Sequence, residues 1–146
     1  MIRAMFPSAV FIPKTRQVKA KVKLRSKEHQ ADLHALLDSG ATDNFICPTV
    51  VQRFNLPTYT LHELKIIRNV DGTKNTIGSV HKATNLTVAY DGAEVLQCFF
   101  IIDLGDNSML LGMPFLAAHN PNVDWRKGQL KGSVSIHTTD AHLWTP

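Results

Sequence analysis

The sequence predicts an all-β domain, a barrel or sandwich of short strands carrying one or two short helices. Three observations carry this reading. Residues 18–25 alternate strictly between apolar and charged, short apolar runs recur along the chain, and Gly, Pro, Asn or Asp punctuates the intervals between them. The 146 residues make one domain's worth of chain, a size that buries about 70% of the unfolded surface. Hydrophobic residues are 44% and charged residues 19% of the chain, the composition of a globular protein rather than a disordered one. No apolar run approaches the roughly 18 residues that a membrane helix needs.

The elements follow in chain order. Met1–Pro13 is apolar apart from Arg3, but Pro7 breaks it and no clean cleavage site follows, so it does not read as a signal peptide. Residues 1–14 are expected to be a leader or linker, 15–138 the folded domain and 139–146 a C-terminal tail. From Val18 a half-buried strand begins, with Val18, Ala20, Val22 and Leu24 on one face and Lys19, Lys21, Lys23 and Arg25 on the other. Ser26–His29 is a polar turn, and Gln30–Leu37 alternates again until Asp38-Ser39-Gly40 ends it. Pro48 suits a first helical position, where its missing N–H costs nothing, and Val50, Val51 and Phe54 follow at helical spacing, predicting a short helix over Pro48–Asn55. Strands are predicted at Leu64–Asn69, Thr76–His81, Leu86–Tyr90, Val95–Ile102, Met109–Leu111, Val123–Trp125 and Val134–Ile136. Asp71-Gly72 and Asp91-Gly92 are hairpin signals, because type I′ turns need positive φ. Lys127-Gly128 marks another turn, and Pro114–His119 one helical turn or two.

The net charge of +4 comes with a pI near 9.2, and the excess is concentrated in Lys14, Arg16, Lys19, Lys21, Lys23, Arg25 and Lys27. Strand alternation explains that row as a solvated face; a contact to RNA or an acidic partner is the functional alternative. The two cysteines, Cys47 and Cys98, form no C-x-x-C and no disulfide framework. They read as small core residues with reduced thiols, which fits an intracellular setting. Asn85-Leu86-Thr87 matches a glycosylation sequon, relevant only to a secreted chain.

The segment that carries chemistry is Ala35-Leu36-Leu37-Asp38-Ser39-Gly40-Ala41-Thr42-Asp43. Three apolar residues draw Asp38 to the edge of a core, and burial of that kind raises a carboxyl pKa. Ser39 places a hydroxyl beside the carboxylate, and Gly40 allows close backbone approach. Such a carboxylate is a prepared acid–base group. Peptide hydrolysis wants two carboxyls, one ionised and one protonated, and a pair about 3 Å apart cannot both ionise. Asp-Ser-Gly occurs once in this chain, so a second aspartate has to come from a second copy through a two-fold axis.

Leu36–Asn44 resembles the D-[ST]-G-A motif of retropepsins, the retroviral-type aspartic proteases. Met109-Leu110-Leu111-Gly112-Met113-Pro114-Phe115-Leu116 is similar to the apolar-apolar-Gly element that precedes that family's C-terminal helix. With Asn69-Val70-Asp71-Gly72-Thr73 and His119-Asn120-Pro121 in the same order, the sequence looks most like proteases of gypsy-type LTR retrotransposons over about residues 18–130. The resemblance implies a closed barrel with a flap hairpin, active as a symmetric homodimer. It implies Asp38 as the catalytic aspartate, in an active-site loop with Ser39, Gly40, Ala41 and Thr42. Ser39 would tie the two loops across the dimer, and Gly40 would offer its backbone to substrate. Asn69, Val70, Asp71, Gly72 and Thr73 would form the flap tip over a peptide or polyprotein substrate, with Leu111 and Gly112 supporting the Asp38 loop. No cofactor, metal or membrane is implied, nucleic acid is not expected as a partner of this domain, and the setting would be cytoplasmic, including virus-like particles. Two departures stand out: the flap lacks the glycine richness common in viral members, and no clear pair of terminal strands of the viral kind is visible.

Other functions weigh less. A catalytically silent dimerisation or peptide-binding module on the same fold is the alternative. His62-Glu63 begins like H-E-x-x-H, but position 66 is Ile66 and the zinc motif fails. A Ser39 nucleophile lacks the G-x-S-x-G frame. Asp43 suits an Asx-type turn rather than catalysis. His29 and His34 read as surface residues, and Trp125 and Trp144 as buried or interface anchors.

Overall fold

The computed structural model describes residues 3–4, 17–68 and 74–138. The elements are β1 (Arg3–Ala4), β2 (Val18–Arg25), β3 (Gln30–Leu37), β4 (Asn44–Ile46), α1 (Pro48–Arg53), β5 (Tyr59–Arg68), β6 (Lys74–Tyr90), β7 (Ala93–Ile101), β8 (Met109–Leu111), α2 (Met113–His119), β9 (Val123–Asp124) and β10 (Gln129–Thr138). The sheet order runs β1-β5-β6-β7-β4-β8-β3-β2-β10-β9, and β10 also pairs with β6. Seven strands, β6 through β10 in that order, therefore close on themselves. This is the closed barrel with two short helices that the resemblance implies, and closure removes the exposed edges that an open sheet would leave.

Alternation in β2 translates directly into burial: Val18, Ala20, Val22 and Leu24 point inward and the intervening cations outward. The Asp91-Gly92 turn has φ of +51° and +83° and joins β6 to β7 with Tyr90 opposite Ala93, as a two-residue type I′ loop requires. Pro48 sits in the first turn of α1 as expected, although the helix stops at Arg53 rather than Asn55. Asn120 ends α2 in the left-handed conformation (φ +42°) and donates its N–H to the Leu116 carbonyl at 2.9 Å. Pro121 follows, so His-Asn-Pro is in large part a helix stop.

Three sequence expectations change. Thr76–His81 and Leu86–Tyr90 are one strand of 17 residues. One edge of β6 carries β5 as far as Ala83 and then β10 from Leu86, while the other carries β7 from Ala83 onward. That change of partner interrupts the period-two pattern near Ala83. Secondly, β5 begins at Tyr59, five residues before the expected Leu64, and β10 runs well beyond Val134–Ile136 at both ends. Thirdly, Asn44–Ile46 is a strand that the pattern does not predict, since all three residues are buried and none alternates.

The core has two parts. The larger fills the barrel and includes Leu24, Phe54, Phe99, Met109, Leu111, Phe115 and Ile136. The smaller lies on the outer side of the same wall, under the β5–β6 hairpin, and includes Leu36, Phe45, Ile67, Val80, Phe100 and Leu110. Neighbouring pairs such as Leu110 and Leu111, or Phe99 and Phe100, thus face opposite cores. Where β3, β4, β7 and β8 meet, both faces are covered, which is why Ala35–Leu37, Phe99–Ile101 and Met109–Leu111 are apolar without a break. Asp38 leaves β3 at this doubly covered point.

Candidate active site

Strand β3 runs parallel to β8, with Leu36 opposite Leu110 and Leu37 opposite Leu111. The Asp38 N–H extends that ladder, donating to the Leu111 carbonyl at 3.0 Å. The chain then turns tightly. The Ala41 N–H donates to the Asp38 carbonyl at 3.1 Å, and the Gly40 N–H donates to Asp38 Oδ1 at 2.9 Å. Asp38 is 1% exposed, so its carboxylate is oriented inside a turn rather than free in solvent. Ser39 is exposed at the tip, Gly40, Thr42 and Asp43 are half-buried, and Ala41 is buried. The Thr42 hydroxyl donates to Asp43 Oδ2 at 2.8 Å. The Asx-type turn expected of Asp43 is made by Asp38 instead, because Gly40 provides the nearby N–H.

Beneath this loop lie Leu111 and Gly112, both buried. Gly112 has extended backbone (φ −101°, ψ −155°), so its φ does not demand glycine. Space does. A Cβ there would collide with the Asp43 carbonyl oxygen and lie 2.8 Å from the Ala41 carbonyl oxygen. The Met113 N–H donates to that Ala41 carbonyl at 2.9 Å, tying the start of α2 to the active-site loop.

A buried polar chain completes the support. The Gly112 N–H donates to Asn44 Oδ1 at 2.9 Å, Asn44 Nδ2 donates to Gln97 Oε1 at 2.8 Å, and Gln97 Nε2 donates to the Pro114 carbonyl at 2.9 Å. Asn44 is 0% and Gln97 7% exposed. Every link is satisfied, as buried amides require. These two residues were not singled out from sequence. Gln97, a lone amide inside the apolar run Val95–Ile102, is the signal that would have found them.

The expected flap tip, Asn69, Val70, Asp71, Gly72 and Thr73, lies outside the described residues, in the chain between β5 and β6, which pair antiparallel. Trp125 does not sit in the core of this chain: it is 71% exposed, in the turn from β9 to β10. His29 and His34 are exposed as expected. Cys47 is buried and Cys98 half-buried, and both are free thiols. The Tyr59 hydroxyl lies 3.4 Å from Cys98 Sγ and donates to Asn85 Oδ1 at 3.0 Å. Burial, and then the thiol, push the Tyr59 pKa up to about 12. His119 packs against the rings of Tyr90 and Phe115, and neither of its ring nitrogens has a hydrogen-bond partner. Desolvation holds its pKa below the ordinary histidine value. Among the described residues, no helix is long and apolar enough to cross a membrane.

A closed barrel with an Asp-Ser-Gly turn, its aspartate buried, laid over a Leu-Gly turn defines a retropepsin-like protease domain. Residues 34–140 match the family model of the PEG10/RTL1 protease domain, and the chain belongs to that gypsy-retrotransposon-derived family. Its fold is similar to that of EIAV protease, solved in complex with the inhibitor HBY-793. The match has a TM-score of 0.50 at 16% identity and covers 79% of this chain and 98% of the viral one.

Proposed function

We propose that this domain is an aspartic endopeptidase whose active site forms when two copies bring their Asp38 carboxyls together. The observation that carries the reading is the Asp38 turn itself: a 1%-exposed carboxylate, fixed through Oδ1 by the Gly40 N–H, following the strand end Ala35–Leu37 that is covered on both faces. In the dyad, one carboxylate takes a proton from a water held between the pair, while its protonated partner donates to the carbonyl oxygen of the scissile bond. The water attacks the carbonyl carbon directly, with no covalent enzyme intermediate. Ser39, exposed at the tip of each loop, tethers the two loops across the axis. The substrate is an extended peptide pairing as an added strand between the dyad and the 69–73 flap. By family, it would be the polyprotein of the parent element, processed in the cytoplasm or in virus-like particles.

The test is peptide cleavage by purified chain, with a transition-state-mimic inhibitor of aspartic proteases as control. Asp38→Asn should lower the rate by at least roughly 10²–10⁴ while the fold survives, since the amide is isosteric. Activity should trace a bell on the acid side of neutrality, because the dyad works with one proton. A folded wild-type dimer without cleavage would leave a peptide-binding module. A rate climbing steadily to high pH, or full activity in Asp38→Asn, would refute the acid–base role.

A further inference from the structure

Away from Asp38, an open groove of about 1110 Å³ runs across β2, β3 and β10. It lies where the register of β10 against β2 shifts. Strand β10 pairs with β2 at Gln129 and Lys19 and again at Ser133 and Lys21, so four steps along β10 match two along β2. The extra residues bulge outward with Gly132 at φ +80°. The Tyr90 hydroxyl holds the bulge, donating to the Lys131 carbonyl at 2.8 Å.

The groove opens onto the cationic face of β2. Lys19, Lys21, Lys23 and Arg25 are all exposed and make no ion pair among the described residues, although Asp32 stands opposite Lys23 in the β2–β3 register. Alternate residues of a strand stand about 6.8 Å apart, so the four charges form a straight row about 20 Å long. Lys127 and Lys131 add two cations where the row meets the groove. Asp32, Asp106 and Asp124 line the same groove. Asp124 is already engaged, its Oδ1 accepting the N–H groups of Arg126 and Lys127 at 3.1 Å. Ser133 and Ser135 of β10 stand beside Lys21 and Lys23 in register, both exposed and able to donate hydroxyl hydrogens. Among the described residues the exposed large apolar side chains are Tyr59, Leu64, Ile66, Leu96, Met113 and Trp125, and none belongs to β2, β3 or β10.

We infer that the β2 row and its adjoining groove bind the phosphate backbone of a single-stranded nucleic acid, without reading its bases. A single row of four exposed cations, faced across the β2–β3 ladder by one carboxylate and flanked by hydroxyl donors, suits one polyanionic backbone. Trp125, exposed in the β9–β10 turn between the groove residues Asp124 and Lys127, is a single ring at one end of the row, where stacking successive bases would need several. Leu33, Leu36 and Leu130 of the groove lining are buried, so β2, β3 and β10 offer no large exposed apolar centre of the kind a folded protein partner would cover. Sequence alternation alone accounts for the row as a solvated face; the groove, the two further lysines and the serine hydroxyls brought beside the row are what the fold adds.

The test is fluorescence anisotropy of the full chain with labelled (U)20 and (dT)20 across a salt series. Four phosphate contacts on a single strand give a slope of about −3 in log K against log salt, a loss of about 50-fold between 50 and 200 mM. Lys21→Gln with Lys23→Gln should halve the slope, leaving a loss of about 7-fold over the same range. Lys65→Gln with Lys82→Gln removes the same charge on β5 and β6 and should keep the wild-type slope. Binding with that pattern supports the inference. It is overturned by no binding of either oligonucleotide at 50 mM salt, by a salt-independent affinity in the wild type, or by equal losses in the two double variants. Poly-glutamate of matched charge binding as tightly would assign the face to acidic peptides and overturn it as well. None of these outcomes depends on whether the chain cleaves peptides.

Discussion

Gly112→Ala isolates the contact on which the active-site loop rests. The new methyl carbon would overlap the Asp43 carbonyl oxygen and lie 2.8 Å from the Ala41 carbonyl oxygen. Both are backbone atoms, so neither can rotate aside as a side chain would. Overpacking of this kind costs about 1–3 kcal/mol. Moving residues 41–43 away would also strain the Met113 N–H to Ala41 bond and the Gly112 N–H to Asn44 bond, each 2.9 Å long. A buried donor left without its partner adds about 1–3 kcal/mol. The combined loss is about 2–6 kcal/mol, against a total stability of about 5–15 kcal/mol. At about 3–4 °C per kcal/mol for a chain of this size, thermal unfolding should move down by about 6–24 °C. Gly105→Ala is the comparison. That glycine has φ +66° and open space around the site, so it suffers only the left-handed penalty of about 1–2 kcal/mol. Calorimetry of the two variants decides the matter. A Gly112→Ala protein that melts within about 2 °C of wild type, or above Gly105→Ala, would refute the claim that loop and turn are in direct backbone contact.

Three further outcomes are expected. Because each chain holds one Asp-Ser-Gly, specific activity should fall on dilution below the dimer dissociation constant, and Ser39→Ala should raise the concentration at which it falls; sedimentation run beside activity checks both, and a monomer that cleaves at every dilution would contradict the dyad. Gln97→Leu removes the partner of Asn44 Nδ2 and of the Pro114 carbonyl and should cost about 1–3 kcal/mol in urea unfolding, more than an apolar swap in a dry core would. His119 has a depressed pKa in the fold, so its neutral form is the one the structure favours; that contribution is fully present above the ordinary histidine pKa of about 6.5 and is lost as pH falls through the lower folded value. The drop in melting temperature between pH 7 and pH 5 should therefore be smaller in His119→Leu than in the wild type.

The chemistry was legible because it is local. Leu36-Leu37-Asp38-Ser39-Gly40 states within five residues that a carboxylate is drawn to a core edge and then turned, and Asp38 accepting from Gly40 realises that within two residues. Strand β2 was legible because one face meets water and the other the core, and the β6–β7 turn because Asp91-Gly92 carries its own backbone preference. The rest depended on partners far away in the chain. Asn44 reaches across 53 residues to Gln97 and 68 to Gly112, and no local pattern encodes such a meeting. Strand β4 is buried throughout, so the period-two signal that water imposes is absent. The groove lies where β10 and β2 pair out of step, a register that only the tertiary fold sets. Gly112 shows the division most directly: its backbone would accept any residue, and only the carbonyls of Ala41 and Asp43, brought over it by the tertiary fold, require glycine there.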